Sequence, residues 1–314
     1  MNEHDSEKIS GLMEDAGLRR VSEVESADVV VINTCCIREN ADNKFYGHLG
    51  NLKVLKETKP NLKIMVGGCL AQKDQELIRE RANHVDVVFG THNLDRVVDL
   101  LIESEQGPVV EIIEPTQHEL DSFGSAPLPT RREVSYAAWM TIQSGCDNAC
   151  AFCIVPQVRG PEVSRSFEDL VQEAKNLVSD GVSEITLLGQ NVNSYGRDLT
   201  LKLRSQTPSD ADKSIAGSIW AGNKKRTPRP LFADLLRSIG DIPDLRRVRY
   251  TSPHPKDLRE DVMYAMAETS SVCEHLHFPL QSGSDSILSR MHRGYTAEKY
   301  LQRIEQARSI VPDL

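Results

Sequence analysis

At 314 residues the chain has room for about two domains, and its 37 Lys plus Arg against 46 Asp plus Glu leave a formal charge of −9. That balance excludes a basic field over the whole molecule as the means of holding nucleic acid, while a local patch stays open. The polar start, Met1-Asn-Glu-His-Asp-Ser, lacks the apolar core of a signal peptide, and no apolar run approaches the roughly 18 residues of a membrane span. Seven cysteines in such a chain read as thiols or metal ligands rather than disulfides. The expected place is the cytoplasm, with no membrane partner.

The first stretch alternates helix and strand. Residues 7–17 are amphipathic with Gly17 as a C-cap. Ala27-Asp-Val29-Val30-Val31-Ile32-Asn33-Thr34 is a buried-strand run ending at Cys35 and Cys36. A helix is predicted over 41–58, a strand over 62–69 ending in Cys69, a strand over 85–90 and a helix over 94–101. Such alternation implies an N-terminal α/β domain with a parallel sheet, assigned to 1–104. Residues 105–134 read as a linker holding at most one short strand.

A second α/β series fills 135–314. Its predicted strands are 136–142, 184–189, 246–252 and 275–280, with helices at 167–179, 231–239, 256–269 and 296–310. About four β/α repeats make a partial barrel, incomplete at the C-terminus, where a closed one has eight. Residues 197–230 interrupt it with eight Lys or Arg against three Asp and no clear period. They read as a disordered basic insertion; in an ordered one, Lys224, Lys225 and Arg226 would face RNA phosphates.

Chemistry concentrates in the run Gln143-Ser-Gly-Cys146-Asp-Asn-Ala-Cys150-Ala-Phe-Cys153. Three thiolates leave one metal position open, which marks a site for chemistry rather than for stapling. The spacing alone admits an iron–sulfur cluster or a zinc site completed by a distant ligand. Cys35 and Cys69 each end a predicted parallel strand, the edge where open α/β sheets bind ligands. Gly67 and Gly68 allow close backbone approach there. Cys36, pointing away from Cys35, and Cys273 are read as structural. In the run 159–165, Arg165 could meet a carboxylate and Arg159 a phosphate, while Ser164 or Ser166 could cap the next helix. The later strands end in Gln190 and Asn191, in Ser252 and His254, and in Gln281. Polar groups on successive strand ends of one rim suit a barrel active site and make these five, with Arg165, ligand candidates.

Asn33-Thr-Cys-Cys-Ile-Arg-Glu-Asn-Ala41, Gly67-Gly-Cys-Leu-Ala-Gln72, the cysteine triplet, Arg159-Gly-Pro-Glu-Val-Ser-Arg165 and Leu188-Gly-Gln-Asn-Val-Asn-Ser-Tyr195 resemble the methylthiotransferase family of radical S-adenosylmethionine (SAM) enzymes. Thr251-Ser-Pro-His-Pro255 and Leu280-Gln-Ser-Gly-Ser284 agree. The opening Asn-Glu-His-Asp-Ser-Glu is similar to the tRNA-2-methylthio-N(6)-dimethylallyladenosine synthase subgroup (MiaB type). The resemblance implies two [4Fe-4S] clusters and SAM. Cys146, Cys150 and Cys153 would hold the SAM-binding cluster, and Cys35 and Cys69 would help hold the other. It implies methylthiolation at carbon 2 of isopentenyladenosine in tRNA, an electron donor as partner, and a monomer.

The chain departs from the family at several places. A third cysteine for the second cluster, in a Gly-Cys-Gln, would precede Met1. The family continues past Leu314 through further β/α units and a small RNA-binding β-barrel. Gln157 replaces a usual aromatic, and Cys36 a small residue. The expectation is a chain truncated at both ends. Two other readings stay open: a non-catalytic iron–sulfur or zinc RNA-binding fragment, and a ribosomal-protein methylthiotransferase.

Overall fold

The β-branched runs form strands close to where their pattern predicts them. The computed structural model describes residues 1–35, 39–114 and 128–314, which divide into two units. Cys36 lies outside the described residues. The first unit takes the described residues up to 133 together with Gln157–Gly160. Its sheet sets β1 (Val29–Thr34), β2 (Lys63–Gly68), β3 (Val87–Phe89) and β4 (Val109–Glu111) side by side in that order, every pair parallel.

Successive strand residues point to opposite faces, and the first unit has a core on each. Ile64, Val66 and Val88 pack with Phe45, Leu49 and Leu52 of the helix Glu39–Thr58. Met65, Val87 and Phe89 pack with Ile9 and Met13 of the helix Asn2–Asp15 and with Val97 and Leu100 of the helix Val97–Glu103. Helices thus cover both faces of a parallel sheet, as its strands require. β4 falls inside the stretch read as a linker; three residues are too few to show a period.

The second unit contains β5 (Ala137–Thr141), β6 (Gln143–Ser144), β7 (Val163–Ser164), β8 (Glu184–Leu188) and β9 (Arg247–Tyr250). β5, β8 and β9 form a parallel sheet in that order, and β6 pairs antiparallel with β7. The helix Phe167–Ser179 buries Phe167, Leu170, Val171 and Ala174, the stripe expected from its three- and four-residue spacing. Helices Phe232–Gly240, Glu260–Glu268 and Ala297–Ile310 also form near their predicted places. Among the described residues no helix is long and apolar enough to cross a membrane.

Two expectations for this unit fail. Residues 275–280 form no strand; among the described residues the sheet extends past β9 only by a parallel bridge between Val248 and Val272. Pro279 has no N–H for a ladder, and Leu276 and Phe278 pack into neighbouring core instead. The basic insertion is built rather than disordered. It forms helices Arg197–Leu203, Ala211–Ala216 and Ser218–Ala221, and Trp220, 2% exposed, joins the core of the unit. One buried indole anchors a segment whose Ser, Gly and Pro content hides its short helices.

Candidate functional site

β6 ends at Ser144, and Gly145 turns the chain with φ +70°, a conformation that suits glycine. The loop that follows carries the triplet: Cys146 buried, Cys150 half-buried and Cys153 exposed. Asn148 N–H donates to Cys146 Sγ at 3.5 Å, and Arg293 Nη1 donates to Cys150 Sγ at 3.6 Å. Burial pushes the Cys146 thiol up to about 11, and the nearby Glu162, Cys153 and Cys150 push the same way. Among the described residues no group of three His, Cys, Asp or Glu side chains stands in metal-holding geometry. The donor set still fits a thiophilic cluster: three soft thiols on one loop, two of them already accepting a hydrogen bond.

The rim behind this loop is polar and buried. Gln143, fully buried, donates through Nε2 to the Asn191 carbonyl at 2.9 Å, while its Oε1 has no partner. Asn191 donates through Nδ2 to Asp257 at 2.8 Å and leaves its own Oδ1 without one. Asn193 braces His254 twice: Nδ2 donates to the His254 carbonyl at 3.1 Å, and Oδ1 accepts from its N–H at 2.9 Å. Burial holds the His254 imidazole down at about 4, with the Asp257 charge opposing, so the ring is neutral at pH 7. Its Nδ1 accepts from Lys256 N–H, and Nε2 has no hydrogen-bond partner. Buried polar atoms without partners are costly; ligand N–H or O–H groups would satisfy the Gln143 and Asn191 oxygens, and a ligand acceptor the His254 Nε2–H. Ser252 and Gln281 hold φ of +61° and +65°, left-handed conformations uncommon outside glycine.

Arg165 is already engaged. It donates through Nη1 to the Thr141 carbonyl at 3.0 Å and through Nη2 to Glu173 at 2.5 Å, leaving Nε without a partner. Ser166 sits at the N-cap of the helix Phe167–Ser179 without a side-chain cap bond, its hydroxyl donating to the Ser214 carbonyl instead. Glu162 was not singled out from the sequence although it lies in a quoted motif. Burial pushes its carboxyl up to about 7 against the hydrogen bond from Ser194, 2.6 Å long. Gln143, Asn193 and Arg293 were also missed; Arg293 carries no local signal, since an isolated arginine after a helix is usually solvated.

In the first unit the register pairs Asn33 with Gly67 and Thr34 with Gly68, so Cys35 and Cys69 follow matched positions on adjacent strands. A Cβ on Gly67 would come within 2.2 Å of the Phe89 ring, and one on Gly68, at φ +92°, within 2.3 Å of Asn33 Oδ1. The two glycines thus let β2 end at this edge. Cys69 is buried and lies 3.8 Å from Asn2 Oδ1. Arg159 donates to the same Asn2 oxygen at 3.0 Å and to Asp5 at 2.6 Å. Burial alone would lower the Arg159 pKa, but the charges of Asp5 and Cys69 carry it well above its ordinary value. Arg159 is therefore committed inside this unit, not held out for a phosphate.

Lys224 and Lys225 are exposed. Arg226 is not: it is 8% exposed, its guanidinium lies 4.8 Å over the Trp220 ring, and it donates to Asp212 at 2.5 Å. The reading of Arg226 as an RNA contact is corrected to that of a core ion pair. Cys273 is half-buried, its thiol raised by burial.

Two family models match the chain: the Uncharacterized protein family UPF0004 over residues 1–90 and the Radical SAM superfamily over residues 140–313. A tRNA-2-methylthio-N(6)-dimethylallyladenosine synthase of Mycobacterium bovis is 50% identical over 314 residues, covering 99% of this chain and 56% of the relative. One from a Mycobacterium sp. is 50% identical over 317 residues, covering 100% and 57%. The chain thus spans somewhat over half the length of these curated relatives. Among solved structures, a radical S-adenosylmethionine methyltransferase, TsrM, from Kitasatospora setae aligns with a TM-score of 0.54 at 13% identity, covering 96% of this chain and 57% of that one. That likeness concerns the fold. With the cysteine loop after the first parallel strand of its unit, the polar strand-end rim and a family match over more than half its length, the chain belongs to the Radical SAM superfamily.

Proposed function

We propose that this chain forms most of the catalytic region of a tRNA methylthiotransferase, which adds a methylthio group to carbon 2 of N(6)-isopentenyladenosine beside the anticodon. One observation carries the reading: two separate sets of thiols, one at matched ends of parallel strands β1 and β2 and one on the loop after β6, in a chain 50% identical to synthases of that name. Cys146, Cys150 and Cys153 would hold one [4Fe-4S] cluster, and Cys35 and Cys69 would supply two ligands of a second. Together with SAM, these groups would supply hydrogen abstraction and delivery of the sulfur.

The protein's own part is binding and orientation. Gln143 Oε1 and Asn191 Oδ1 accept from an amine or hydroxyl, and neutral His254, whose Nδ1 is taken by Lys256 N–H, donates through Nε2–H. Gln190, Ser252 and Gln281 complete the polar rim, and Arg165 Nε can meet a carboxylate. Glu162, poised near neutrality, can hold or release a proton beside Ser194. Lys224 and Lys225 are free to meet RNA phosphates, and splayed single-stranded bases are what RNA-binding proteins usually read. The protein would act in the cytoplasm as a monomer with an external electron donor.

The test uses the protein at the length of its relatives, expressed in a bacterium whose tRNA carries isopentenyladenosine but no methylthio group. Mass analysis of digested tRNA should then show the methylthiolated nucleoside. A modified ribosomal protein with tRNA left untouched would transfer the assignment to the other methylthiotransferase class.

A further inference from the structure

We propose that Arg293 is a positioning residue that raises the reduction potential of the cluster on Cys146, Cys150 and Cys153 by hydrogen bonding to Cys150 Sγ; this rests on the triplet holding a cluster. The guanidinium stands 3.6 Å from that sulfur. It is held there from both sides. Arg293 N–H bonds back to the Leu288 carbonyl at 3.0 Å, closing the helix Asp285–Arg290, and Gly294 then turns the chain away with φ +70°. The preceding residues clasp the cysteine loop: Ala151 N–H donates to the Met291 carbonyl at 3.1 Å, and His292 Nδ1 lies 3.2 Å from the Ala149 carbonyl.

Among the described residues Arg293 has no competing side-chain engagement. No carboxylate among the described residues is ion-paired with it, and its Nε is buried without a partner. A guanidinium placed on a thiol that would ligate iron, rather than on an acid, has its charge directed at the metal group. Reducing a cluster adds one electron from an external low-potential donor and makes or breaks no bond. The added negative charge spreads onto the ligand sulfurs, where a charged N–H donor stabilises it. Reduction is therefore easier with Arg293 than without it.

The experiment is a redox titration of the anaerobically reconstituted full chain, followed by electron paramagnetic resonance, with iron and sulfide counted in each sample. The triplet's signal is identified by its loss in Cys150→Ala. Wild type, Arg293→Met, Arg293→Lys and His292→Ala are compared. Arg293→Met should shift the potential to more negative values at unchanged iron and sulfide, with Arg293→Lys between it and wild type. His292→Ala, which loosens the same clasp without touching the sulfur, should leave it in place. A potential in Arg293→Met equal to wild type overturns the assignment. If that variant does not load, an unshifted potential in Arg293→Lys does so instead. Failure of wild type to assemble iron and sulfide on the triplet overturns the cluster reading itself, a distinct result.

Discussion

Arg159 and Asp5 stand 154 positions apart in the chain, yet they meet at 2.6 Å with both side chains less than a tenth exposed. The pair sits beside Cys69 and shares Asn2 with it. It thus ties the opening residues to the edge of the sheet where β1 and β2 deliver their thiols.

Breaking that pair from one side strands a buried charge. Arg159→Met should cost about 3–5 kcal/mol of stability, and Arg159→Met combined with Asp5→Leu less than either change alone. Urea unfolding of the four proteins measures the cycle. Burial alone would raise the Asp5 pKa, but Arg159 holds it below the usual carboxylate range. Its contribution is complete above the unfolded value, near 3.8, and is lost as pH falls through the lower folded value. Additive losses in the cycle would show that the two groups do not act as a unit.

His254 supplies a pH signature of the same sign in a higher window. Its folded pKa, about 4, lies below the ordinary 6.5 because burial disfavours the cation. The unfolded chain therefore takes up the proton first as pH falls, and stability declines between 6.5 and about 4. His254→Gln should flatten that part of the curve. Nuclear magnetic resonance of the ring should give a midpoint near 4; a midpoint above 6 would mean the imidazole is solvated.

Replacing Cys150 by Ala leaves two thiols on the triplet loop. The reconstituted variant should lose most of the iron and sulfide bound there and form no 5′-deoxyadenosine from SAM under reduction. Chromatography of the reaction mixture reads this directly. Product at the wild-type level would remove the triplet from the chemistry.

The three basic residues 224–226 should separate by variant. Lys224→Ala with Lys225→Ala should change stability by no more than about 0.5 kcal/mol and weaken tRNA binding with a shallower salt dependence. Arg226→Ala should lower stability by about 1–3 kcal/mol, because the buried Asp212 loses its charged partner and keeps only its Ser209 donors, and Trp220 loses its cation. Unfolding and filter-binding measurements on the same proteins divide the two roles. Equal affinity losses without destabilisation would return Arg226 to the RNA surface.

Much of this molecule was legible as local pattern. Val29-Val30-Val31-Ile32 reads as strand because β-branched residues pack on a pleated surface. The spacing of Phe167, Leu170, Val171 and Ala174 reads as helix because those positions share one face. The triplet and the strand-end placement of Cys35 and Cys69 were visible for the same reason: ligand spacing and strand ends are properties of near neighbours in sequence. Tertiary packing decided the rest. It buried Arg159, Arg165 and Arg226 against Asp5, Glu173 and Asp212, raised the Glu162 carboxyl and set Arg293 on a cysteine sulfur. An arginine or glutamate carries the same charge in any sequence. Whether water, an acid or a thiol faces it depends on residues brought together by the fold.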